Sequence, residues 1–518
     1  MSQRPVQRLS AIIEGEIELP PAPALGRIRR DLLGKLTFEN AAWKKKMTRG
    51  HALDNTPRHR HAFKRLSTGG IRIARGAWRI LQEIAKEHNV EIDWDARVLS
   101  SEERPATFDF KATLRPYQEG AVQAAIASRG GVIVVPTGGG KTVIAFGLAA
   151  ALQTETLFIV HTRELLRQTV ESAKKFLGVE PGIIGAGKWS PAPFTVALIQ
   201  TLARRDLEEI SDRFGLVIVD EAHHAPAQSY FDVLPNFPAR HRVALTATPY
   251  RKDGMHHMLW LQFGEIVYRI HKHDLEEHGN LLTPTFFPIK TKFTYDYKDD
   301  FPAMISALCR NPARQRLVLE TIVNTHRPGG CSLVLTERVE HCKKLTAALE
   351  KQQLPVVMLH GQLSSKIRTE TLEKLKEQEA ELLVATLSLI GEGWDHPPLD
   401  TLYLTVPNGN RTKTTQALGR ILRPWPNKPT PRVFDFIDLE IGLLRHHWSV
   451  RSRVYGLSRE ESQSILWKQK RSDKRPQAPT QPRPDFLNMI KAVSRGDFDS
   501  AETILTSTSK PKKSKDSR

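Results

Sequence analysis

Two series of short aliphatic runs that alternate with amphipathic helical segments constrain the fold of this 518-residue chain more than any other feature. Strands that are buried on both faces and joined by helical crossovers form a doubly wound parallel sheet. The first series spans residues 111–283 and the second spans residues 284–457. The pattern therefore predicts an α/β protein with two similar domains in tandem and a cleft between them.

The segments outside the two series differ from them in composition. Residues 1–110 contain a basic stretch from Ala42 to Arg79, which has eleven Lys or Arg against one Asp and is interleaved with aromatic side chains. Such a mixture suits phosphates and stacked bases, so we expect a small α+β accessory domain with a nucleic-acid-binding surface here. A solvated basic face is the alternative. The candidate DNA contacts in this stretch are Lys44, Lys45, Lys46 and Arg49. Residues 458–518 are expected to form a linker, which is rich in Pro, Arg and Gln from Lys468 to Asp485, and a basic, partly disordered tail.

Composition excludes several classes of protein. A formal net charge of +19 favours polyanionic partners, because each cation that neutralises a phosphate releases counterions. Three cysteines cannot build a disulfide framework or a four-cysteine metal site. The longest apolar run, Val143 to Leu152, is about half the roughly 20 residues that a membrane-spanning helix needs. We therefore expect a cytoplasmic, nucleoid-associated or phage-encoded protein without a membrane partner, with the nucleus as an alternative compartment.

A strand, a glycine-rich turn and a helix follow one another in GVIVVPTGGGKTVIAFGLAA. Gly138, Gly139 and Gly140 lack Cβ atoms, so that backbone N–H groups can close around phosphate oxygens at a helix N-terminus. Lys141 can reach the β- and γ-phosphates, and the hydroxyl of Thr142 can bind Mg²⁺. A plain strand-to-helix turn is the alternative, since Val135 stands where the strict phosphate-loop pattern has Gly.

An acidic pair follows a second aliphatic run in LVIVDEAHH. A strand that ends at Asp220, next to the first strand of the sheet, would direct its carboxylate at a metal held by Thr142. Glu221 would then orient or deprotonate the attacking water. Either motif alone has an ordinary structural explanation, but their occurrence together predicts a site for ATP and Mg²⁺.

From about Leu114 to Asp438, the chain resembles the superfamily-2 helicases of the DEAD/DEAH type, and within them the DNA-type XPB/UvsW/RadD-like group. LRPYQ resembles the adenine-recognising segment of that family, with Gln118 as the reader and Arg115 beside it. VPTGGGKT, which includes Thr137, resembles motif I, and DEAHH resembles motif II. The resemblance implies two RecA-like domains.

Further motifs carry the resemblance along both series. IVHTRELLRQ, ALIQTLAR, LVLTERVEHC and ATLSLIGEGWD resemble motifs Ia, Ic, IV and V. They imply nucleic-acid contacts by Thr162, Arg163, Gln200, Thr201, Thr336, Arg338 and Thr386. Motif V also implies nucleotide contacts by Gly393 and Asp395. LTATPYRKDG resembles motif III and, with motif II, implies coupling between the ATP site and the second domain by His223, Thr246 and Thr248.

QALGRILR resembles motif VI and supplies Gln416, Arg420 and Arg423 as catalytic candidates. ATP hydrolysis needs a positive charge beside the γ-phosphate, because negative charge develops there in the transition state. An Arg from a second element can supply that positive charge. Arg420 and Arg423 stand at i and i+3, so we expect both on one helix face towards the cleft.

The resemblance implies an ATP-dependent DNA helicase or translocase that acts on duplex, forked or single-stranded DNA in repair, recombination, restriction or phage replication. A nuclease or a recombination factor would be a fitting protein partner. Two other classes of function stay open: an ATP-gated clamp that holds nucleic acid without unwinding it, and an RNA remodeller. Strand displacement separates the motor from the clamp, and stimulation of the ATPase by DNA or by RNA tests the third class.

Overall fold

A computed structural model describes residues 6–48, 56–100, 104–136, 138–222, 227–247, 256–271, 274–275, 281–391 and 396–467. Within the chain, two compact units are distinguished, Met1–Asp274 and Leu275–Arg518. Six of the candidate site residues lie outside the described residues: Arg49, Thr137, His223, Thr248, Gly393 and Asp395. The expected tail, from residue 468 onward, also lies outside them.

A five-stranded sheet forms the amino-terminal part of the first unit. Its strands are β1 (Gln7–Ile13), β2 (Glu16–Leu19), β5 (Phe63–Arg65), β6 (Ile71–Ala74) and β7 (Val90–Asp95), in the order β5-β6-β2-β1-β7. Strands β3 (Thr37–Glu39) and β4 (His59–His61) form a separate antiparallel pair. The helices of this part are Pro23–Lys35, Ala41–Thr48, Trp78–Glu87 and Arg97–Ser100.

Apolar residues recur at helical spacing from Ile71 onward, but the first four residues of this segment form strand β6 and not a helix. Ile71 and Ile73 are buried while Arg72 between them is exposed, which is the two-residue period of a strand. The helix begins only at Trp78, after a short 3₁₀ turn.

An eight-stranded sheet, parallel except for one antiparallel edge strand, forms the rest of the first unit. Its strands are β8 (Gly130–Val134), β9 (Thr156–Val160), β10 (Gly182–Gly185), β11 (Lys188–Ser190), β12 (Phe194–Leu198), β13 (Leu216–Asp220), β14 (His241–Thr246) and β15 (Ile266–Arg269). They lie in the order β11-β10-β12-β9-β13-β14-β8-β15. The accompanying helices are Pro116–Ala127, Lys141–Leu152, Arg163–Leu177, Ile199–Leu202, Ala227–Val233 and His256–Phe263.

The expectation that the strand ending at Asp220 lies next to the first strand of this sheet is wrong. Strand β14 lies between β13 and β8 and pairs with both of them in parallel. Its register places Leu245 beside Asp220 and Thr246 beside Val134. The carboxyl ends of the three strands therefore still meet at one edge of the sheet.

The amino-terminal sheet packs directly against the larger sheet's part of the first unit. A Cβ on Gly15 would lie 1.8 Å from the carbonyl oxygen of Pro235, and one on Gly76 would lie 2.5 Å from that of Trp260. Phe231 and Leu261 also belong to the hydrophobic core of the amino-terminal part. The backbones approach so closely at Gly15 and Gly76 that neither position has space for a side chain.

The second unit contains a six-stranded sheet whose strand pairs are all parallel. Its strands are β16 (Thr285–Thr291), β17 (Ser332–Thr336), β18 (Val356–Leu359), β19 (Leu382–Thr386), β20 (Thr401–Leu404) and β21 (Arg432–Asp438), in the order β16-β21-β20-β17-β19-β18. Its helices are Phe301–Arg310, Pro312–Thr325, Val339–Glu350, Ser365–Lys376, Arg411–Ile421, Gly442–Val454 and Arg459–Trp467. In the described ranges, no helix combines the length and the apolar character needed to cross a membrane.

Candidate active site

The glycine-rich loop lies between β8 and the helix Lys141–Leu152, which we call the phosphate-loop helix. Gly138 and Gly140 have φ values of +88° and +82°, in the left-handed region that favours glycine. A Cβ on Gly140 would also come within 2.3 Å of the Gln118 amide nitrogen. The backbone conformation therefore favours glycine at position 140, and a Cβ there would also force the Gln118 side chain to shift.

Gln118, the candidate adenine reader, is anchored to this loop. Its side-chain Nε2 donates to the carbonyl oxygen of Gly139 at 3.2 Å, and its Oε1 accepts from the backbone N–H of Arg115 at 3.0 Å. Arg115 in turn donates from Nη1 to the Tyr117 hydroxyl at 3.1 Å. The structure thus joins the predicted adenine-recognising segment to the predicted phosphate loop.

Lys141 and the acidic pair meet at the carboxyl edge of the sheet. Lys141 Nζ lies 2.9 Å from Glu221 Oε1, and both side chains are only about 15% exposed. The Glu221 backbone N–H donates to Asp220 Oδ1 at 2.9 Å, and the backbone of Glu221 has the left-handed φ of +48°. A non-glycine residue in this region is held there by its surroundings, which is frequent at functional sites.

The electrostatic environment of Asp220 fits a bound cation. The pKa of Asp220 is raised to about 7, mainly by burial and also by the neighbouring charge of Glu221, while Lys141 opposes both effects. A divalent cation beside this carboxylate would favour its ionised form. Thr142, in the first turn of the phosphate-loop helix, supplies a hydroxyl oxygen. Mg²⁺ takes oxygen ligands and keeps several waters, so Asp220 and Thr142 fit its requirements.

We predict that Glu221→Gln lowers ATP hydrolysis by about 10²–10⁴-fold, because the amide keeps the size of the side chain but cannot accept a proton from water. Nucleotide binding should be retained, and both quantities can be measured by single-turnover hydrolysis and by titration with a fluorescent ATP analogue. Glu209→Gln, at an exposed position of the same unit, is the matched control. Normal turnover in Glu221→Gln would remove this residue from the water-activating role.

Thr246 connects the end of β14 to the phosphate loop. Its carbonyl oxygen accepts from the backbone N–H of Val135 at 2.9 Å, and the residue is fully buried. A shift of the phosphate loop would therefore be transmitted to the end of β14 through this hydrogen bond. Its coupling role remains a prediction.

Four candidate nucleic-acid contacts of the first unit lie together at the ends of β9 and β12, which pair in parallel. Thr162 caps the helix Arg163–Leu177 by accepting from the Leu165 N–H at 3.2 Å. Gln200 donates to the carbonyl oxygen of His161 at 2.9 Å, and Arg163 is exposed. Thr201 follows in the short helix Ile199–Leu202. Capping the helix is a sufficient structural role for Thr162, whereas the exposed Arg163 is positioned to bind a phosphate.

In the second unit, Thr336 and Thr386 are directly paired at the ends of β17 and β19. Both are buried; the Thr336 hydroxyl donates to the carbonyl oxygen of Ala385 at 3.4 Å, and that of Thr386 bonds Ser388 Oγ at 3.2 Å. Arg338 is half-buried and donates to the carbonyl oxygen of Pro302 at 3.1 Å. The structure brings these three predicted residues to one sheet edge, with both threonine hydroxyls bonded within the protein.

Gln416 and Arg420 lie on the helix Arg411–Ile421, which we call the arginine helix. Arg420 is buried. The expectation that Arg423 shares a face of this helix is wrong, because the helix ends at Ile421. Arg423 precedes Pro424, and the residue before a proline is disfavoured in the helical conformation. This sequence signal predicts the end of the helix.

The fold partly neutralises the basic stretch of the amino-terminal part. Carboxylates outside the stretch pair with four of its cations: Lys44 with the nearby Glu39 and, from positions distant in sequence, Lys64 with Glu16, Arg72 with Glu18, and Arg79 with Glu265. Lys46 donates to Thr56 Oγ1 at 3.0 Å, and the Arg58 guanidinium lies 5.1 Å from the centre of the Trp43 ring. Lys45 lies on the same helix as Lys44 and Lys46. The exposed positive charge is therefore smaller than the sequence count suggests.

Comparison with known proteins gives two family matches and several relatives. The family model of the type III restriction enzyme res subunit matches residues 111–251, and that of the helicase conserved C-terminal domain matches residues 314–424. The chain is 28% identical over 378 residues to the DNA 3'-5' translocase XPB2 of Sulfurisphaera tokodaii. The alignment covers 64% of this chain and 83% of the translocase. It is also 27% identical over 348 residues to the putative ATP-dependent RNA helicase L396 of Acanthamoeba polyphaga mimivirus. That alignment covers 64% of this chain and 65% of the mimivirus protein.

Among solved structures, a fragment of a putative HsdR subunit of a type I restriction enzyme from Vibrio vulnificus YJ016 matches with a TM-score of 0.51 and 20% identity. The match covers 71% of this chain and 72% of that fragment. At this identity the likeness concerns the fold. The fold class predicted from the sequence, two RecA-like domains in tandem, is confirmed.

Proposed function

Because this chain is a superfamily-2 helicase of the XPB/UvsW-like type, we propose that it couples ATP hydrolysis to movement on, or remodelling of, duplex or branched DNA. The observation that carries the proposal is the 2.9 Å contact between Lys141 Nζ and Glu221 Oε1. It brings a phosphate-binding cation and a water-activating carboxylate together beside Asp220. A site of this composition is built for phosphoryl transfer to water.

The residues of the site divide the work of hydrolysis. The loop Gly138–Gly140 and Lys141 bind the phosphates, and Gln118 holds the adenine. Asp220 and Thr142 would hold Mg²⁺, which would neutralise negative charge on the phosphates. Glu221 orients the attacking water and accepts its proton.

The catalytic residues of the second unit act on developing charge. Arg420 and Arg423 stabilise the negative charge that develops on the transferred phosphoryl group, and Gln416 assists them. Gly393 and Asp395 complete the nucleotide contacts. Three residues couple the state of the nucleotide to the second domain: His223, Thr246 and Thr248.

We propose nucleic-acid contacts at the ends of β9 and β12 in the first unit and, separately, at motifs IV and V in the second unit. Exposed Arg163 and Gln200 offer charge and an amide to phosphate oxygens, which carry no sequence information. A DNA strand is favoured by the DNA-type motifs and by the S. tokodaii relative, which is named for DNA, whereas the mimivirus relative is named for RNA. We place the activity in the cytoplasm, on cellular or phage DNA, together with a nuclease or a recombination factor.

The test is the ATPase rate with no nucleic acid, single-stranded DNA, duplex DNA, a forked junction or RNA, each at two salt concentrations. Strong stimulation by duplex or forked DNA supports the proposal. Stimulation by RNA alone overturns the DNA assignment in favour of an RNA remodeller. Stimulation by DNA without strand displacement or translocation identifies an ATP-gated clamp.

The three consecutive lysines of the helix Ala41–Thr48 test whether the amino-terminal part contacts DNA. We predict that reversing Lys44, Lys45 and Lys46 to Glu weakens duplex binding and flattens its salt dependence by about 0.9 in logarithmic slope for each DNA phosphate that these lysines neutralise. Binding would be measured by fluorescence anisotropy over a salt series. The matched control reverses Arg27, Arg30 and Lys35 on the neighbouring helix Pro23–Lys35. If the two triple variants showed the same slope of DNA affinity against salt concentration, the three lysines would not contact DNA.

A further inference from the structure

A cavity of about 210 Å³ lies within the first unit, where the amino-terminal sheet meets the part that contains the eight-stranded sheet. Its walls include Arg75, Trp78, Arg129, Arg242 and Gln262, and we call it the junction pocket. Arg75 and Trp78 come from the amino-terminal side, and the other three from the opposite side. A single water needs only roughly 10–15 Å³ by the same measure, so the pocket can hold a polyatomic ligand.

Two of the side chains in the junction pocket are buried without full hydrogen bonding. Gln262 is 1% exposed, and neither its Nε2 nor its Oε1 has a partner among the described residues. Arg242, also 1% exposed, donates from Nη2 to the carbonyl oxygens of Gly15, Leu234 and Phe237. Its Nε and Nη1 have no partner among the described residues. Buried polar atoms are nearly always satisfied, so these three nitrogens and one oxygen indicate a ligand.

The electrostatic environment of the pocket indicates the sign of that ligand. The pKa of Arg242 is lowered to about 9, first by burial and then by the neighbouring Arg75. The pKa of Arg75 is lowered to about 10, first by burial and then by the neighbouring Arg129. Glu16 opposes the shift at Arg242 only as the weakest contribution. An anion in this poorly hydrated position would be attracted strongly by all three guanidinium groups.

We propose that the junction pocket binds the phosphate group of a nucleotide, with the base stacked on Trp78. Arg242 and Gln262 have donors without a partner for the phosphate oxygens. The exposed Arg129 adds its positive charge to those of Arg75 and Arg242. Trp78 is 38% exposed, and an indole ring stacks on any base. None of the phosphate-loop residues lines this pocket, so the site is distinct from the candidate ATP site. The nucleotide is either free in solution or part of a DNA strand.

The experiment reads the pocket directly and without ATP turnover. Phenylglyoxal modifies accessible guanidinium groups, and peptide mass spectrometry measures the rate at Arg129 in the full chain, without added ATP or ADP. The probes are inorganic phosphate, dAMP and a mixed-sequence oligonucleotide with a 5'-phosphate. We expect phosphate to protect Arg129 and dAMP to do so at a concentration on the order of tenfold lower, because of stacking. Arg30, exposed on the helix Pro23–Lys35, is the internal reference for unspecific protection.

Variants then separate the two parts of the ligand. Trp78→Ala should remove the advantage of dAMP over phosphate, and Gln262→Leu should weaken protection by both. Protection by dAMP but not by the oligonucleotide identifies a free nucleotide, and protection by the oligonucleotide identifies a DNA strand. The proposal is overturned if no probe protects Arg129, if dAMP protects no better than phosphate, or if both variants behave like the natural chain. Each readout is independent of the proposed motor, so either idea can fail alone.

Discussion

In the Lys141→Ala variant, we expect ATP hydrolysis to fall by at least about 10²–10³-fold. Lys141 is the cation of the phosphate loop, and its Nζ lies 2.9 Å from Glu221 Oε1 in a pair of side chains that are about 15% exposed. An ammonium in such a partly buried position stabilises charge on phosphate oxygens far more than one in water. Its removal also leaves Asp220 and Glu221 side by side without the cation that opposes their repulsion.

The measurement is steady-state ATP turnover with saturating duplex DNA, together with DNA affinity at two salt concentrations. DNA binding should remain salt-sensitive, because the proposed phosphate contacts of Arg163 and Gln200 do not involve Lys141. Lys188→Ala, on the exposed edge hairpin of the same sheet, removes the same charge and should leave turnover unchanged. Turnover within a few fold of the natural chain in Lys141→Ala would refute this location of the ATP site.

Most strands of the eight-stranded and six-stranded sheets were predictable, because they are short aliphatic runs with all residues buried, as in Thr156–Val160 and Leu382–Thr386. Their order was not predictable, because strand pairing depends on contacts distant in sequence. Strand β14 therefore separates Asp220 from the phosphate-loop strand. The end of the arginine helix was within reach of the sequence, since Pro424 follows Arg423.

The candidate ATP site was predictable because its chemistry is concentrated in two short motifs. The basic stretch was harder to interpret, because its charge partners Glu16, Glu18 and Glu265 come from other segments. The role of Arg75 was hidden for the same reason: its side chain donates to the carbonyl oxygen of Arg240 at 2.9 Å. One signal was available for Arg242, because an arginine within the buried strand His241–Thr246 needs buried acceptors.

Two buried ion pairs of the second unit hold the segment before the arginine helix. Arg451 bonds both oxygens of Asp435, at 2.7 and 2.9 Å, and donates to the carbonyl oxygen of Asn408 at 3.1 Å. Arg314 bonds Asp438 in the same bidentate manner and donates to the carbonyl oxygen of Thr405 at 2.7 Å. All four charged side chains are at most 3% exposed. These pairs fix the backbone that leads into the helix carrying Gln416 and Arg420.

We expect Arg451→Met to lower the free energy of unfolding of the second unit by about 3–5 kcal/mol, because the Asp435 carboxylate is left buried without its counterion. Urea-induced unfolding, followed by tryptophan fluorescence, should show a midpoint lower by on the order of 1 M. Trp448 lies in the same helix, Gly442–Val454, and is 1% exposed, so its emission reports on this region.

Arg453→Met is the matched control, because Arg453 lies on the same helix but is exposed, and we expect its midpoint to stay within the error of the natural chain. A triple variant, Arg451→Met with Asp435→Leu and Tyr455→Phe, removes the guanidinium, the carboxylate and the hydroxyl that donates to it at 2.6 Å. It should recover most of the stability, because apolar side chains of similar size replace a buried ion pair with little effect on the free energy of unfolding. A triple variant as unstable as Arg451→Met would show that the guanidinium stabilises the fold through Asn408, and not by neutralising Asp435.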